Sequence, residues 1–459
     1  MGNTKATNLN IIIVGCGKVG AALVEQLIRE GHDITVIDTD LNKIQEITGL
    51  YDVMGMTGNG ASYNVQMEAG IENCDLIIAV TGSDELNLLC CTVAKQVGDC
   101  AAIARVRNPD YSKESGYLRE KLGLAMILNP DLEAANEAVR ILSFPTALQV
   151  ESFAHGLAEL ISFTVPEGNM LDGMSLIELS SKVPSDILVC AVERDDEVHI
   201  PSGNFVLKSG DVVSFTSSRP AAKKFLKQVG FVVNQAKSVM IIGGGKTAYY
   251  LAKQLLNSGV SVKIIESDRA RCEELSVLLP KAIVIHGDGT NEDLLHEEGI
   301  ASMGGFVPLT GIDEENIVLT LFANRVSKAK VITKIDRITF KKVISSLNLG
   351  SVIYPHYITS EAIIAYVRAK KDSVGSNIET LNHMFDQRVE AIEFRVDKPC
   401  AVTDIPLKSL QLKRELLIAC INRRGSIIIP SGQDCIRVGD TVIIVTTHTG
   451  FNDIENILR

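Results

Sequence analysis

The 459-residue chain has no apolar run approaching the roughly 20 residues that cross a bilayer, and its N-terminus carries no signal-peptide core. These absences predict a cytosolic protein. No dense basic block offsets a net charge of −11, which argues against a nucleic-acid or anionic-membrane surface. Lys223-Lys224, Lys341-Lys342 and Arg423-Arg424 are short pairs expected on solvated faces. Ten cysteines are scattered without a CxxC. That spacing suits neither zinc nor a disulfide framework, and predicts reduced, mostly buried thiols and no metal site. A P-loop, an HExxH and a Ser-His-Asp arrangement are missing too; Gly245-Lys246-Thr247 ends like a P-loop, but no glycine stands five residues before Gly245.

What is present is present twice. Gly15-Cys16-Gly17-Lys18-Val19-Gly20 follows the apolar run Ile11 to Val14, and Gly243-Gly244-Gly245-Lys246-Thr247-Ala248 follows Val239 to Ile242, a register of 228 (243 − 15). Gly58-Asn59-Gly60 returns as Gly287-Asp288-Gly289, Thr81-Gly82 as Thr310-Gly311, and Ile200-Pro201-Ser202-Gly203 as Ile429-Pro430-Ser431-Gly432, each at 229. A near-constant register with one inserted residue is an internal duplication, with a period far too long for a solenoid.

Within each copy the pattern changes once. Residues 1–142 alternate strand and helix, which implies a parallel sheet with helices on both faces. The strands are expected near Asn10–Val14, Asp33–Ile37, Tyr51–Met56, Leu76–Val80 and Ala102–Val106, and helices include Asp84–Val97, Asp110–Leu122 and one opening after Asn129-Pro130. Past a hinge at Phe144-Pro145, residues 148–233 read as a small α+β unit with a Gly210-Asp211 turn. The first pattern restarts over 237–368. After a second hinge near Lys371-Asp372 the small unit returns over 372–459, with Gly439-Asp440 matching Gly210-Asp211. The expected fold class is α/β: two tandem Rossmann-like parallel-sheet domains, each followed by a small α+β domain.

A lone GxGxxG is weak evidence, but here each copy follows a strand, opens a helix and precedes an acid at the end of the next strand. Gly15 permits the tight turn, Gly17 lets backbone approach a pyrophosphate, and Gly20 lets helix and strand pack closely. The helix N-terminus then faces the diphosphate. Asp38 accepts hydrogen bonds from ribose hydroxyls and repels a 2′-phosphate, which favours NAD(H) or an adenosine nucleotide over NADP. In the second copy Ala248 replaces the third glycine and Glu266 takes the acidic position. Pro308 stands where Ala79 sits in the fourth strand, so that strand end is expected to be distorted and a ligand-free second pocket stays open as an alternative. Asn59 and Asp288 follow the third strands, where an adenine edge would lie, unless these are ordinary turns. Thr81-Gly82 and Thr310-Gly311 end the fourth strands at the switch point. Arg105 and Lys334, 229 apart, end the fifth strands, where they would neutralise a phosphate or else form surface ion pairs. The eight histidines are dispersed, and no catalytic acid or base accompanies either fingerprint.

Two nucleotide-binding units, each followed by a small module with an IPSG and a GD turn, resemble the TrkA family of tandem regulator-of-potassium-conductance proteins. The resemblance covers nearly the whole chain. It implies a non-enzymatic, peripheral gating subunit that assembles into a homo-oligomeric ring, a tetramer, on the cytoplasmic face of a Trk-type membrane potassium transporter or channel. It further implies binding of NAD(H) and, as in relatives, ATP or ADP. The contacts it implies are Gly15, Cys16, Gly17, Lys18, Val19, Gly20, Asp38, Asn59, Thr81, Gly82 and Arg105 in the first half. In the second half they are Gly243, Gly244, Gly245, Lys246, Thr247, Glu266, Asp288, Thr310 and Lys334. Asn59 departs from the aspartate usual in the family, which Asp288 retains. A duplicated NAD-dependent oxidoreductase and a nucleotide sensor of another ion carrier, such as an antiporter, are the alternatives.

Overall fold

The computed structural model describes residues 8–144, 146–231, 236–336, 347, 349–370, 376–385 and 387–459. The first half begins with β1 (Asn10–Val14), α1 (Lys18–Arg29), β2 (Asp33–Asp38), α2 (Leu41–Leu50), β3 (Met54–Thr57), α3 (Tyr63–Glu68) and β4 (Leu76–Ala79). It continues with α4 (Asp84–Val97), β5 (Ala101–Arg105), α5 (Pro109–Lys113), α6 (Ser115–Lys121), β6 (Met126–Leu128) and α7 (Pro130–Ser143). A smaller set follows: β7 (Gln149–Phe153), β8 (Ala158–Thr164), α8 (Leu176–Lys182), β9 (Ile187–Arg194), β10 (Glu197–His199), β11 (Val212–Ser217) and α9 (Arg219–Gln228).

The second half repeats this with β12 (Ser238–Ile242), α10 (Lys246–Asn257), β13 (Ser261–Glu266), α11 (Arg269–Leu278), β14 (Ile283–His286), α12 (Glu292–Glu297) and β15 (Gly305–Pro308). Then come α13 (Asp313–Val326), β16 (Lys330–Lys334), β17 (Ser351–Ile353) and α14 (Pro355–Lys370). The last sheet is β18 (Ser376–Met384), β19 (Val389–Val396), β20 (Leu416–Arg423), β21 (Ser426–Ile428) and β22 (Thr441–Thr446).

The large sheets are parallel, in the orders β3-β2-β1-β4-β5-β6 and β14-β13-β12-β15-β16-β17. Their central strands are buried on both faces, which is why they read as unbroken runs such as Ile11–Val14 and Val239–Ile242. Strand order reverses between β1 and β4, and between β12 and β15, opening a crevice at the carboxyl ends. The small sheets are antiparallel, β10-β9-β11-β8-β7 and β18-β19-β22-β20-β21. Their GD turns have a specific task. Asp211 is buried and takes two guanidinium hydrogen bonds of Arg194 (2.7 and 2.6 Å), and Asp440 does the same with Arg423 (2.8 and 2.7 Å).

Three elements differ from the sequence reading. The helix expected over Asp110–Leu122 is two short helices divided at Glu114, whose backbone (φ −104°, ψ 14°) leaves the helical region. The third strand starts at Met54 rather than Tyr51, and the three-residue strand Met126–Leu128 carried too short a pattern to be foreseen. Pro308 truncates rather than distorts. Leu309 N–H donates to Ile242, so the alternate position, Pro308, faces β16 without a donor. Pairing of β15 with β16 stops at Phe306–Val331, whereas β4 pairs with β5 as far as Ala79–Ala104. Of the hinges, Phe144 is buried, with the cationic ends of Arg219 and Lys223 over its ring, while Pro145, Lys371 and Asp372 lie outside the described residues, as does the pair Lys341-Lys342.

The hydrophobic cores run across the linear units. Helix α7 leaves the first large sheet and packs along α10, so Ala134, Ala138 and Ile141 share a core with Leu251 and Leu255. Helix α14 makes the reciprocal move, placing Ile363, Ile364 and Val367 with Leu23, Val24 and Leu27 of α1. Arg368 of α14 pins this arrangement, bonding Glu30 of the first half and, through two hydrogen bonds of 2.9 Å, Glu390 of β19. The two small sheets meet back to back through Leu160, Cys190, Ala391, Cys420 and Ile443. The halves are therefore exchanged partners rather than beads on a string.

Candidate functional site

The first glycine loop is built as the spacing predicts. Gly15 has φ +105°, and a Cβ there would lie 2.9 Å from the Thr81 amide nitrogen. A Cβ on Gly20 would stand 1.9 Å from the Gly15 carbonyl oxygen, so any side chain forces the loop off the helix. Gly17 is different: no atom lies within 4 Å of its would-be Cβ, leaving backbone open to a ligand. Asp38, at the end of β2, accepts the Cys16 N–H (2.7 Å) on one oxygen and the Asp40 N–H (2.9 Å) on the other. It fixes the loop while keeping lone pairs for donors in the cleft. Burial, with Asp38 beside it, pushes the Cys16 thiol up to about 12, and the side chain packs into the core rather than lining the cleft. Val19 is buried, Lys18 is exposed, and Asn59 is exposed with its side-chain oxygen turned onto the Ala61 N–H.

A residue the sequence reading missed holds the switch point. Asn87, fully buried on α4, accepts from the Thr81 N–H (2.8 Å) and hydroxyl (2.7 Å) and donates to the Arg105 carbonyl (2.9 Å). Asn316 repeats the two backbone bonds, accepting from the Thr310 N–H and donating to the Lys334 carbonyl, while the Thr310 hydroxyl turns to the Ile312 carbonyl. Asp84 accepts the Arg107 and Asn108 N–H groups, and Asp313 accepts that of Asp336. The signal was available in the 229 register of these pairs.

Loop, acid and switch point open onto a cleft of about 570 Å³, within the ~300–1,000 Å³ usual for ligand pockets. Its walls include Gly15, Gly17, Lys18, Val19, Asp38, Asn59, Thr81, Gly82 and Arg105, and also Arg107, Asp131 and, from the second half, Lys334, Asp336, Pro355 and His356. Five cations (Lys18, Lys43, Arg105, Arg107, Lys334) face three carboxylates there, so the cleft is positive on a protein of net charge −11. Arg105 donates to the Thr81 carbonyl, but its Nε is buried without a partner. Burial and the neighbouring Arg107 both hold its guanidinium below the ordinary value, a state that an anion would relieve.

Two placements depart from the sequence reading. Lys334, assigned by register to the second site, stands in the wall of the first, because the carboxyl ends of the two large sheets face each other. His356, counted only among the dispersed histidines, reaches the first cleft from α14, with Nδ1 buried and unpartnered, and burial lowers its basicity.

The second loop shares the backbone plan. Gly243 has φ +92°, Gly245 has open space beside it, and Glu266 accepts the Gly244 N–H (2.6 Å). Lys246 is exposed. Gly244 is buried, and its carbonyl takes a 2.7 Å hydrogen bond from Arg271 Nε. The Thr247 hydroxyl is buried and donates to Asp131 of the first half (2.6 Å), whose other oxygen accepts from Arg107 (2.6 Å). Burial opposes the Asp131 charge, but these bonds outweigh it and hold the carboxyl below its usual range. Asp288 is exposed and held low by the backbone and hydroxyl of Thr290.

Comparison with known proteins agrees with this construction. The TrkA-N domain model matches residues 11–130 and 239–355, and the TrkA-C domain model matches 160–230 and 391–459. The chain is 30% identical over 456 residues to the Trk system potassium uptake protein TrkA of Haemophilus influenzae, covering 98% of this chain and 99% of that one. It is 31% identical over 455 residues to that of Halomonas elongata, with the same coverage. A GsuK channel structure bound to NAD shares the fold, with TM-score 0.62 at 16% identity over 97% of this chain and 78% of that one. No helix among the described residues is long and apolar enough to cross a membrane. The chain belongs to the TrkA family, carrying its TrkA-N and TrkA-C domains twice in tandem.

Proposed function

We propose that this chain is the peripheral regulatory subunit of a Trk-type potassium uptake system, gating an integral-membrane potassium transporter or channel from its cytoplasmic face in response to bound nucleotide. The observation that carries this is the first cleft, with its open Gly17 backbone, Asp38 and an unpartnered Arg105 Nε, at the switch point of a chain whose full-length relatives are named as potassium uptake proteins. The donor set fits NAD(H), and equally the diphosphate of ADP or ATP; channels of the same fold have been described bound to NAD and to ADP. Asp38 would take the ribose hydroxyls, the α1 N-terminus and Arg105 the diphosphate.

The function requires a pocket and a movable partner, not a catalytic group. A ligand biases a two-state assembly only by its differential affinity for the two states. Walls drawn from both halves supply that difference, since ligand contacts to Lys334 and His356 exist only while the halves are apposed. Couplings of about 1–3 kcal/mol per site, multiplied around a homo-oligomeric ring of four, would give a sharp switch. The unit boundaries proposed for this machine are 1–142, 148–233, 237–368 and 372–459.

The test is potassium or rubidium uptake, under potassium limitation, in cells lacking the chain and resupplied with the native protein or Asp38→Ala. Restoration by the native protein alone is the expected result; uptake that never depended on the chain would remove the potassium assignment. One observation favours a second reading. His356 in the cleft is the kind of group an NAD-dependent oxidoreductase needs, and turnover of NADH with a carbonyl substrate, abolished by His356→Ala, would establish it.

A further inference from the structure

Two fingerprints in one chain suggest two nucleotides, but the side chains around them are unequally shared. Arg105 and Lys334 are register partners and would be expected to serve one site each. Both line the first cleft instead. That cleft also holds two of the buried polar atoms without hydrogen-bond partners among the described residues, Arg105 Nε and His356 Nδ1.

The second loop is engaged by groups of the chain itself. Asp131, immediately after the proline that opens α7, puts a carboxylate on the Thr247 hydroxyl in the first turn of α10, beside the positive end of that helix. An anion there satisfies the helix terminus, and a second anion is repelled. The corresponding residue after the proline of α14 is His356, which faces the first loop near Lys18 without a negative charge. Arg271 closes the other side by bonding the Gly244 carbonyl, whereas the Glu266 bond to Gly244 N–H has its equal in Asp38 and Cys16 N–H of the first loop. A Cβ on Gly244 would lie 2.6 Å from Leu275 Cδ1, so side chains already pack onto this stretch of loop. Lys43, the first-half counterpart of Arg271, lines the open cleft.

We infer that the chain binds one nucleotide per polypeptide, gripped between Arg105 of the first half and Lys334 and His356 of the second, and that its own Asp131 and Arg271 fill the second fingerprint. This rests on the nucleotide-sensor reading and specifies it: the second half reads the ligand of the first.

The test counts nucleotides on the full-length chain by native mass spectrometry with NADH and with ADP, and measures affinity by calorimetry. One nucleotide per chain is expected. Lys334→Ala should weaken it about tenfold or more through loss of a charge-assisted contact, while Lys334→Arg, which keeps the charge, should restore most of the affinity. Two nucleotides per native chain would overturn the inference and leave the sensor reading standing, as would unchanged affinity in Lys334→Ala. Binding of neither probe would remove both. The native stoichiometry needs no variant, so a Lys334→Ala chain that fails to fold leaves the test decisive.

Discussion

The two halves share a loop, an acid at the end of the second strand and a buried asparagine under the switch point, yet what faces each loop differs. Helix α14 brings His356 to the first loop, and α7 brings Asp131 to the second. A histidine whose basicity burial lowers stands at the first helix terminus and leaves it available for an anion, and a carboxylate occupies the second. The lesson is that in an exchanged pair a site is finished by the other copy, so equal motifs need not make equal sites.

A second inequality lies where the large and small units meet. Glu159 opposite Ser217 and Glu390 opposite Thr446 hold equivalent places in the small sheets. Glu390 is buried against Arg368 and His383. Burial opposes its charge, but these partners hold its carboxyl below the usual range; burial likewise opposes the His383 charge, but Glu361 and Glu390 outweigh it and raise His383 to about 9. The residue matching Arg368 on α7 is Ser143, 225 earlier, as Pro130 is to Pro355. Glu159 is thus left with a distant Arg219 (3.9 Å), one oxygen has no partner, and burial pushes its carboxyl up to about 7.

The sharpest way to break the comparison is to neutralise both glutamates. Glu390→Gln should cost about 3–5 kcal/mol in urea unfolding at neutral pH, because it removes the buried carboxylate that Arg368 and His383 share and leaves Arg368 only Glu30 and His383 only Glu361. Glu159→Gln should instead stabilise by about 2 kcal/mol at pH 8, where the native carboxylate is ionised against its surroundings. The pH signs are opposite. A carboxyl raised on folding gives stability that is full below the unfolded pKa of about 4.3 and is lost as pH rises through about 7. A lowered one, as at Glu390, gives stability present above the unfolded pKa and lost in acid. Destabilisation by both variants at pH 8 would remove the distinction.

Next in size is the third fingerprint position. Gly20→Ala should cost about 3 kcal/mol, since its methyl meets the Gly15 carbonyl, whereas Ala248→Gly should cost only about 1 kcal/mol of helix propensity. Thermal melts of both variants decide it. Asp38→Ala should weaken nucleotide binding about 30-fold, or ~2 kcal/mol, by calorimetry. Glu266→Ala should register mainly as a lower melting temperature, because Gly244 N–H loses its acceptor while the bound nucleotide loses no contact. Smallest is Pro308→Ala. It returns a donor toward β16 and should change stability by less than about 1 kcal/mol; a larger gain would mean that the truncated ladder strains the second sheet.

Much of this was legible in the sequence because it depends on local chemistry. The positive φ of Gly15 and the close packing at Gly20 follow from backbone geometry and were found as expected, and the helix Asp84–Val97 has the bounds its pattern gave. The GD turns were visible as repeats, though their purpose, gripping Arg194 and Arg423, needed the strand pairing. Lys334, His356 and Asp131 were misplaced or overlooked for one reason: each reaches across to the half of the chain it does not belong to. Register aligns a residue with its counterpart, and says nothing about which copy it faces.

The sequence alone determined the duplication, the α/β alternation, the parallel sheets and the glycine turns between strand and helix, since these rest on spacing and backbone geometry close along the chain. Only the tertiary structure decided that α7 and α14 exchange between the halves, because apolar helix faces of similar composition can bury against either copy. That exchange makes one open cleft and one self-filled loop out of two nearly equal motifs, through the long-range contact of side chains more than a hundred residues apart.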